Sequence, residues 1–138
     1  MPRRKTKIRP SPASSETVLV AEPDVLARMV LAEYLRECGY EVMEAGSAEE
    51  VLSVLGWGRK IGVVLLNSQI SQGKGFELAR EIRENHPGID IVLTFGIAKS
   101  AEKASEICDG GPQERPYHPQ EVVRRIQQLR GARKVAPD

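Results

Sequence analysis

Apolar residues follow two alternating patterns along the chain from residue 17 onward. In the first pattern they form short continuous runs with the length and β-branching of buried strands. In the second they recur every three or four positions, as on one face of an amphipathic helix. The predicted strands cover residues 17–21, 40–45, 62–66 and 89–94. Strands that alternate with helices predict right-handed βαβ units and a parallel sheet with helices on both faces.

Local signals mark the ends of the first helices. Gly39 follows the first helix at a position that favours a left-handed backbone, which ends a helix. Ser47 precedes the second helix and Glu50 lies three residues later. This capping-box spacing predicts that each of the two side chains binds a free backbone amide of the other residue.

The last third of the chain gives weaker signals. A helix at about residues 99–108 has few apolar residues, residues 112–115 make a poor fifth strand, and a final helix precedes residue 131. We therefore predict an α/β fold of the flavodoxin-like type, with a doubly wound five-stranded parallel sheet in the order 2-1-3-4-5. The single domain would span residues 17–130, between tails at 1–16 and 131–138.

The charge balance is nearly even, with 20 basic and 19 acidic residues and a formal charge of +1. It gives no reason to expect a nucleic acid or a membrane as partner. Residues 1–16 differ, because they hold five basic residues among prolines and serines, which predicts a disordered tail. This tail could bind nucleic acid or anionic lipid, although a solubilising extension is the simpler interpretation. No segment has the apolar length of a secretory signal or a membrane span, so we expect a cytoplasmic protein.

Cysteines and histidines give no metal signal. Cys38 and Cys108 are not part of a CxxC motif, and both His86 and His118 are followed by proline. None of the four has the spacing of zinc ligands. We expect free thiols and solvated imidazoles, with no metal site built from these residues.

The end of the third strand carries the most informative residue. Asn67 follows the apolar run at 62–66 and precedes a polar loop at 67–75. The carboxyl ends of the strands form the usual ligand edge of an open α/β sheet. Asn67 therefore lies where a ligand site is expected, but its amide cannot accept a phosphoryl group as a carboxylate does.

Several motifs resemble those of the receiver domains of two-component response regulators. The resemblance spans about residues 17–130 and continues from strand ends into helices. The segments that carry it are VLVAEPD (18–24), AEYL (32–35), GYEV (39–42), EAGSAEE (44–50), GFELA (75–79), IVLT (91–94) and RPYHPQE (115–121).

The resemblance implies a site for phosphoryl transfer in a signalling module that is not an enzyme. In that family an acidic pair after the first strand and an aspartate after the third bind Mg²⁺. The aspartate accepts phosphate from a partner histidine kinase. Carboxylates suit both tasks, because a hard cation prefers oxygen ligands and an ionised carboxylate forms the acyl phosphate. A hydroxyl after the fourth strand and a lysine before a proline then hold the phosphoryl oxygens.

This sequence departs from the family pattern at the site itself. Glu22 fits the first acidic position, but Pro23 stands at the second, which normally supplies a metal ligand. Asp24 follows one position late, so its side chain should point elsewhere. Asn67 replaces the phosphate acceptor, whereas Thr94 keeps the switch hydroxyl.

Further departures lie after the fourth strand. Arg115 replaces the lysine, before Pro116, whose preceding peptide bond is a candidate for the cis form common in the family. Pro112 stands where the family has the aromatic residue that reports phosphorylation. With Asn67 neutral, we hypothesise that the Arg115 guanidinium contacts Glu22 through two donors and replaces the metal ion. We expect no cofactor, and weak or absent Mg²⁺ binding.

Other interpretations remain open. Asn67 could be an engineered change in an ordinary phosphorylatable receiver, although the joint departures favour a natural pseudo-receiver. Phosphate could be accepted with Mg²⁺ at another residue, such as Ser68 or Ser71. Thr94 could be an ordinary strand-end hydroxyl bonded to backbone. A flavin carrier on the same fold would need a glycine-rich phosphate loop after the first strand, where this chain is acidic.

We therefore predict a stand-alone, phosphorylation-independent receiver that acts through protein contacts in two-component signalling. Only residues 131–138 follow the last helix, so we expect no output domain. The partner would be a histidine kinase or another signalling protein, and a homodimer could form through the face from the fourth to the fifth predicted helix. Trp57 could anchor a partner, although a partly buried edge residue is the simpler interpretation. The fifth predicted helix carries a basic face formed by Arg124, Arg125 and Arg130.

Overall fold

The computed structural model describes residues 17–114 and 116–134, with side chains placed up to residue 131. The predicted tail at 1–16, Arg115 and residues 135–138 lie outside the described residues. The strands are β1 (Thr17–Ala21), β2 (Glu41–Ala45), β3 (Ile61–Asn67) and β4 (Asp90–Thr94). The helices are α1 (Val25–Glu37), α2 (Ala48–Leu55), α3 (Ile70–Gly73), α4 (Gly75–Asn85), α5 (Ile97–Asp109) and α6 (Pro119–Lys134).

The four strands form a parallel sheet in the order β2-β1-β3-β4. This order confirms the first four strands of the predicted flavodoxin-like arrangement. Ala21 pairs with Leu66 across β1 and β3, and Asn67 pairs with Thr94 across β3 and β4. The ends of these three strands therefore meet at one edge of the sheet.

Two hydrophobic clusters cover the two faces of the sheet. Side chains alternate between faces along a strand, so Val18 and Val20 pack with α1, α5 and α6. Leu19 and Ala21 face the other way and pack with α2 and α4. Burial on both faces explains why the strands read as continuous apolar runs rather than as alternating patterns.

The predicted helix-end signals are present, with one change. Gly39 has a φ of 97°, which is the left-handed conformation expected after α1. The Ser47 hydroxyl accepts a hydrogen bond from the Glu50 amide at 3.1 Å. The Glu50 carboxylate instead accepts from the Gly46 amide at 2.6 Å, so the box closes one residue earlier than expected.

The predicted fifth strand is not formed by residues 112–114. The Gln113 amide donates to the Cys38 carbonyl oxygen at 3.0 Å, so this segment lies against the end of α1 instead of extending the sheet. Pro112 has no amide hydrogen to give to a β-ladder, and the preceding glycines Gly110 and Gly111 allow the chain to turn away. The described sheet therefore ends at β4.

The expectation of free thiols is wrong. Cys38 and Cys108 form a disulfide with a Cα–Cα distance of 5.5 Å. Cys38 is fully buried and Cys108 is 2% exposed, because the ends of α1 and α5 pack side by side in the core. The two residues are 70 positions apart, a separation that carries no local sequence signal.

Three smaller differences concern segments between or after the predicted elements. Trp57 is 65% exposed and not partly buried. It follows α2 in a turn in which its amide donates a hydrogen bond to the Val54 carbonyl oxygen. The polar loop after β3 contains the short helix α3. Helix α6 continues to Lys134, past the predicted domain end at residue 130.

Within the described range, none of the helices combines the length and hydropathy required to cross a bilayer.

Candidate functional site

The candidate site lies at the carboxyl edge of the sheet, between the ends of β1, β3 and β4. Because β1 and β3 are parallel and adjacent, Glu22 follows β1 beside Asn67. The Glu22 amide donates to the Ala45 carbonyl oxygen at 3.0 Å, which holds its backbone against the end of β2. Glu22 is 3% exposed and Asn67 is 6% exposed, so the pocket floor is buried.

Both ends of the Asn67 side-chain amide are engaged. Its Nδ2 donates to Glu22 Oε1 at 2.9 Å, and its Oδ1 accepts from the Gln69 amide at 2.9 Å. A carboxylate has no proton to donate and a backbone amide has no lone pair to offer, so the partners fix the orientation of the Asn67 amide. Asn67 thus links the Glu22 carboxylate to the Gln69 backbone through an uncharged side chain.

Glu22 is a buried carboxyl group that is stabilised by hydrogen bonds. Its Oε2 accepts from the Asp24 amide at 3.1 Å. Burial raises the pKa of Glu22 above its usual value, and the hydrogen bonds from Asn67 and the Asp24 amide offset only part of that rise. Arg28 donates to the Glu22 carbonyl oxygen at 2.9 Å, but its guanidinium lies 3.5 Å from Glu44, with which it forms an ion pair.

Asp24 points at helix α1 and not at Glu22. Its Oδ1 accepts from the amides of Leu26 and Ala27 at 2.9 and 3.1 Å, which makes it the N-cap of α1. Its Oδ2 forms an ion pair with Arg130 of α6. Burial raises the pKa of Asp24, but the hydrogen bonds from the Ala27 amide and from Arg130 outweigh it, and the pKa lies below its usual value.

The Thr94 hydroxyl faces a helix. Thr94 is fully buried, and its Oγ1 lies 2.7 Å from the hydroxyl of Ser100, which is 1% exposed. Ser100 belongs to the first turn of α5, where its amide donates to the Gly96 carbonyl. The hydroxyl at the switch position is therefore paired with the side chain of Ser100.

The two serines considered as other acceptors sit in different environments. The Ser71 hydroxyl accepts from the Ala48 amide at 2.8 Å and so ties α3 to the start of α2. Ser68 is 2% exposed, and its hydroxyl finds no hydrogen-bond partner among the described residues. The Ser68 amide donates to the Thr94 carbonyl at 2.8 Å, which extends the β3–β4 pairing by one residue. Among the described residues, neither hydroxyl combines solvent access with a neighbouring pair of carboxylates.

Two exposed aromatic rings lie beside the site. Phe95, which directly follows Thr94, is 62% exposed, and Phe76 in the first turn of α4 is 56% exposed. Their ring centroids are 5.8 Å apart, which is within the range of favourable aromatic pairs. The pair places apolar surface next to the ends of β3 and β4.

The donor set does not fit a Mg²⁺ ion. Mg²⁺ requires near-octahedral oxygen ligation, usually with one or two carboxylates. Pro23 is exposed and has no side-chain oxygen, Asp24 is engaged by a helix end and a guanidinium, and the Asn67 oxygen accepts from a backbone amide. Among the residues that the structure describes, Glu22 is the one carboxylate of this set that is left to face the pocket.

Two predicted features depend on a residue that is not described. The hypothesised contact between Glu22 and Arg115 lies outside the described residues. Pro116 is described and exposed, but the peptide bond before it belongs to Arg115. Pro112, at the position of the family's aromatic reporter, is exposed and in contact with the Gly39 turn.

Sequence reasoning missed two partners in the site. Arg130 binds Asp24 from 106 positions away, and only its place on the last helix could have suggested a role. Ser100 binds Thr94 across six positions, and a serine in the first turn of the helix after β4 was the available signal. These contacts engage the Asp24 carboxylate and the Thr94 hydroxyl with partners other than Asn67.

An open parallel sheet with a polar pocket at its carboxyl edge defines the class of flavodoxin-like domains. The sequence model of the response regulator receiver domain matches residues 18–113. The chain belongs to this family of receiver domains, which are modules of two-component signalling.

Curated relatives agree with this assignment. The chain is 38% identical over 91 residues to the transcriptional regulatory protein PdtaR of Mycobacterium tuberculosis, covering 64% of this chain and 44% of that protein. It is 27% identical over 115 residues to the phosphate regulon transcriptional regulatory protein PhoB of Pseudomonas aeruginosa, covering 80% of this chain and 50% of that protein. It is 32% identical over 90 residues to the sensor kinase CckA of Brucella abortus, covering 64% of this chain and 10% of that protein. The chain thus spans about half or less of the length of these relatives.

Solved structures share the fold. The signal receiver domain of an HD domain-containing protein from Pseudomonas fluorescens superposes with a TM-score of 0.57 at 20% identity, covering 86% of this chain and 98% of that one. A receiver domain protein from Clostridium thermocellum gives a TM-score of 0.56 at 20% identity, covering 88% of this chain and 99% of that one. At this identity the likeness supports the fold alone.

Proposed function

We propose that this chain is an atypical receiver that signals without phosphorylation at the usual position. The observation that carries the proposal is the Asn67 side chain, whose Nδ2 and Oδ1 are both committed, to Glu22 and to the Gln69 amide. An amide does not form an acyl phosphate, because it lacks the anionic oxygen that attacks phosphorus. The position is thus filled by an amide whose donor and acceptor groups both bind residues of the pocket.

The charges of the pocket support the same proposal. A phosphorylatable site holds several carboxylates, whose repulsion Mg²⁺ relieves. Here one buried carboxylate, Glu22, is satisfied by Asn67 and by the Asp24 amide, and Asp24 is neutralised by Arg130. We infer that Mg²⁺ binding is weak or absent and that the chain is not an enzyme. The Glu22–Arg115 contact stays a hypothesis within this proposal.

The proposed mode of action is contact with other signalling proteins in the cytoplasm. PdtaR and PhoB are named as transcriptional regulators and CckA as a sensor kinase, so receivers like this one occur in proteins of both kinds. We propose a histidine kinase or another signalling protein as partner. A homodimer through the face of α5 and α6 is the second option, and sedimentation of the chain at several concentrations distinguishes the two.

The test is incubation with acetyl phosphate and Mg²⁺, followed by intact mass. A typical receiver domain treated in parallel controls for the reagent. We expect no stable gain of a phosphoryl group by this chain, and a stoichiometric gain would overturn the proposal. If a gain occurs, mapping it to Ser68, Ser71 or another residue identifies the alternative acceptor.

Metal binding needs a separate readout. Trp57 precedes β3 and so lies at the sheet edge opposite Asn67, which makes its fluorescence a poor reporter of the pocket. The backbone amides of Gln69 and Asp24 donate directly to the pocket side chains and should report an ion through their NMR shifts. We expect neither to move in a saturable way at low millimolar Mg²⁺.

A further inference from the structure

We propose that the Cys38–Cys108 disulfide is a redox modification site, opened by thiol exchange at Cys108, and that its co-reactant is a thiol or dithiol carrying positive charge. The disulfide joins the end of α1 to the end of α5. It lies away from the pocket that holds Asn67, and the inference does not depend on how Asn67 behaves. If the cytoplasmic location proposed above holds, such a bond belongs to the class of cytosolic disulfides that are made and broken in regulation.

The disulfide can be reached by a reagent from the side of Cys108. A cavity of about 420 Å³, open to solvent, adjoins the disulfide. Its lining includes Cys108 but not Cys38 among the described residues. The lining residues are Cys108, Asp109, Gly111, Pro112, Gln113 and Glu114. Since Cys38 is fully buried and Cys108 borders the cavity, a reagent in the cavity should reach Cys108 before Cys38.

The exchange proceeds in two steps. A thiolate of the co-reactant attacks Cys108 Sγ, the Cys38–Cys108 bond breaks, and Cys38 leaves as a thiolate that takes up a proton. A second thiolate, from the same dithiol or from a second thiol molecule, then attacks the co-reactant's sulfur in the mixed disulfide and releases Cys108, which is also protonated. The co-reactant is oxidised to a disulfide, and the protein is reduced by two electrons and gains two protons.

The charge of the cavity selects among thiols. Asp109 and Glu114 are exposed acidic residues of the lining, and no basic residue is among its described members. The attacking group is an anion, so these carboxylates repel it unless the same molecule carries a positive charge. A cationic thiol should therefore react faster than an anionic thiol of similar acidity.

Opening the bond should loosen the segment that replaces the fifth strand. The Gln113 amide bonds to the Cys38 carbonyl, and the Tyr40 hydroxyl donates to the Ile107 carbonyl at 2.9 Å, so both contacts flank the cross-link. With the covalent cross-link removed, noncovalent contacts hold the end of α5 against α1, and they include these two hydrogen bonds. We expect faster hydrogen exchange at the Gln113 amide in the reduced protein, with little change at Gln69 in the pocket.

The experiment measures reduction of the folded, oxidised chain by cysteamine and by mercaptoethanesulfonate at low salt, with rates corrected for the thiolate fraction of each reagent. Acid quenching, alkylation and peptide mass locate the first adduct. We expect the cationic reagent to react about threefold to tenfold faster, a ratio that shrinks as salt is added. The first adduct should be on Cys108.

Charge variants provide the control. Asp109→Asn with Glu114→Gln should bring the two rates together, whereas Glu81→Gln with Glu84→Gln on the exposed face of α4 should leave the ratio unchanged. Equal rates in the parent chain, a first adduct on Cys38, or two free thiols after oxidation would overturn the proposal. So would a rate that rises with urea in step with global unfolding, because exchange would then need no cavity.

Discussion

The side-chain amide of Asn67 donates to the buried carboxylate of Glu22 at 2.9 Å, where the receiver family has two carboxylates facing a metal ion. The pair is satisfied without an added cation, since the remaining Asn67 oxygen and Glu22 oxygen accept from backbone amides. A charged residue in place of Asn67, or a neutral one in place of Glu22, therefore changes the net charge of this buried pair.

Replacing Asn67 with aspartate should destabilise the domain at neutral pH. Two carboxylates would then share a buried site and lose the donated hydrogen bond, at a cost of about 1–3 kcal/mol. Urea unfolding at pH 7 measures the loss. Asn85→Asp, which makes the same change at an exposed site on α4, should cost a few tenths of a kcal/mol.

The stability of the Asn67→Asp variant should depend on pH with a definite sign. The pKa of Glu22 is already raised from its usual 4.5 by burial, and a second carboxylate would raise it further. The folded state then binds more protons than the unfolded state, so stability is highest below the unfolded pKa and is lost as pH rises through the folded pKa. Equal stability of the variant and its parent across this range would show that the pocket carries a compensating cation.

Asp24 should act in two separable ways, as a helix cap and as a charge. Asp24→Ala removes both roles and should cost about 1–2 kcal/mol. Asp24→Asn keeps a capping oxygen and loses only the charge, so its cost should be smaller, close to that of Arg130→Gln. Urea unfolding of the three variants at pH 7 compares them.

Acid should remove the charge effect of Asp24. Its pKa is lowered in the folded state, so its contribution is present above the unfolded pKa near 3.8 and is lost as pH falls through the folded value. The gap between the parent and Asp24→Asn should therefore close on acidification. A gap that persists in acid would mean that it does not arise from the charge of Asp24.

The Thr94–Ser100 hydroxyl pair should behave as a coupled unit. Thr94→Val or Ser100→Ala leaves the other buried hydroxyl without its partner, and each should cost about 1–2 kcal/mol. The double variant should cost less than the sum by about 1 kcal/mol. Chemical denaturation of the four proteins completes the cycle, and the exposed Ser53→Ala serves as the control. Strict additivity would mean that the two hydroxyls do not bond in solution.

Reducing the disulfide should lower stability without unfolding the domain. The bond closes a segment spanning 70 positions, and the loop-closure relation gives a loss of about 4 kcal/mol as an upper estimate, with about 2–4 kcal/mol expected. Denaturation of the parent chain with and without reductant measures the difference. Cys38→Ala with Cys108→Ala should not respond to reductant, and a response there would assign the effect to something other than the bond.

The meeting of the strand ends and the local turn contacts could be predicted from the sequence. The carboxyl-edge positions of Asn67, Glu22 and Thr94 follow from where apolar runs end, because parallel strands bring those ends together. The turn at Gly39 and the cap at Ser47 follow from local chemistry in the same way. The first four strands and their order belong to this group.

Contacts between distant segments were not accessible. Asp24 meets Arg130 across 106 positions and Cys38 meets Cys108 across 70, and in neither case does the spacing indicate a partner. The fifth strand failed for a related reason, since its residues bind the end of α1, whose position depends on the tertiary fold. Of the site departures, Pro23 and Asn67 are visible in the sequence, but the contacts of Asp24 with Arg130 and of Thr94 with Ser100 are not.

The central claim is that the acceptor was lost together with its supporting groups, and restoring aspartate at one position tests it most directly. Asn67→Asp and the triple variant with Pro23→Asp and Arg115→Lys are incubated with acetyl phosphate and Mg²⁺ and read by intact mass. The joint loss predicts that Asn67→Asp alone stays largely unmodified, whereas the triple variant gains a phosphoryl group. Stoichiometric phosphorylation of Asn67→Asp alone would contradict it.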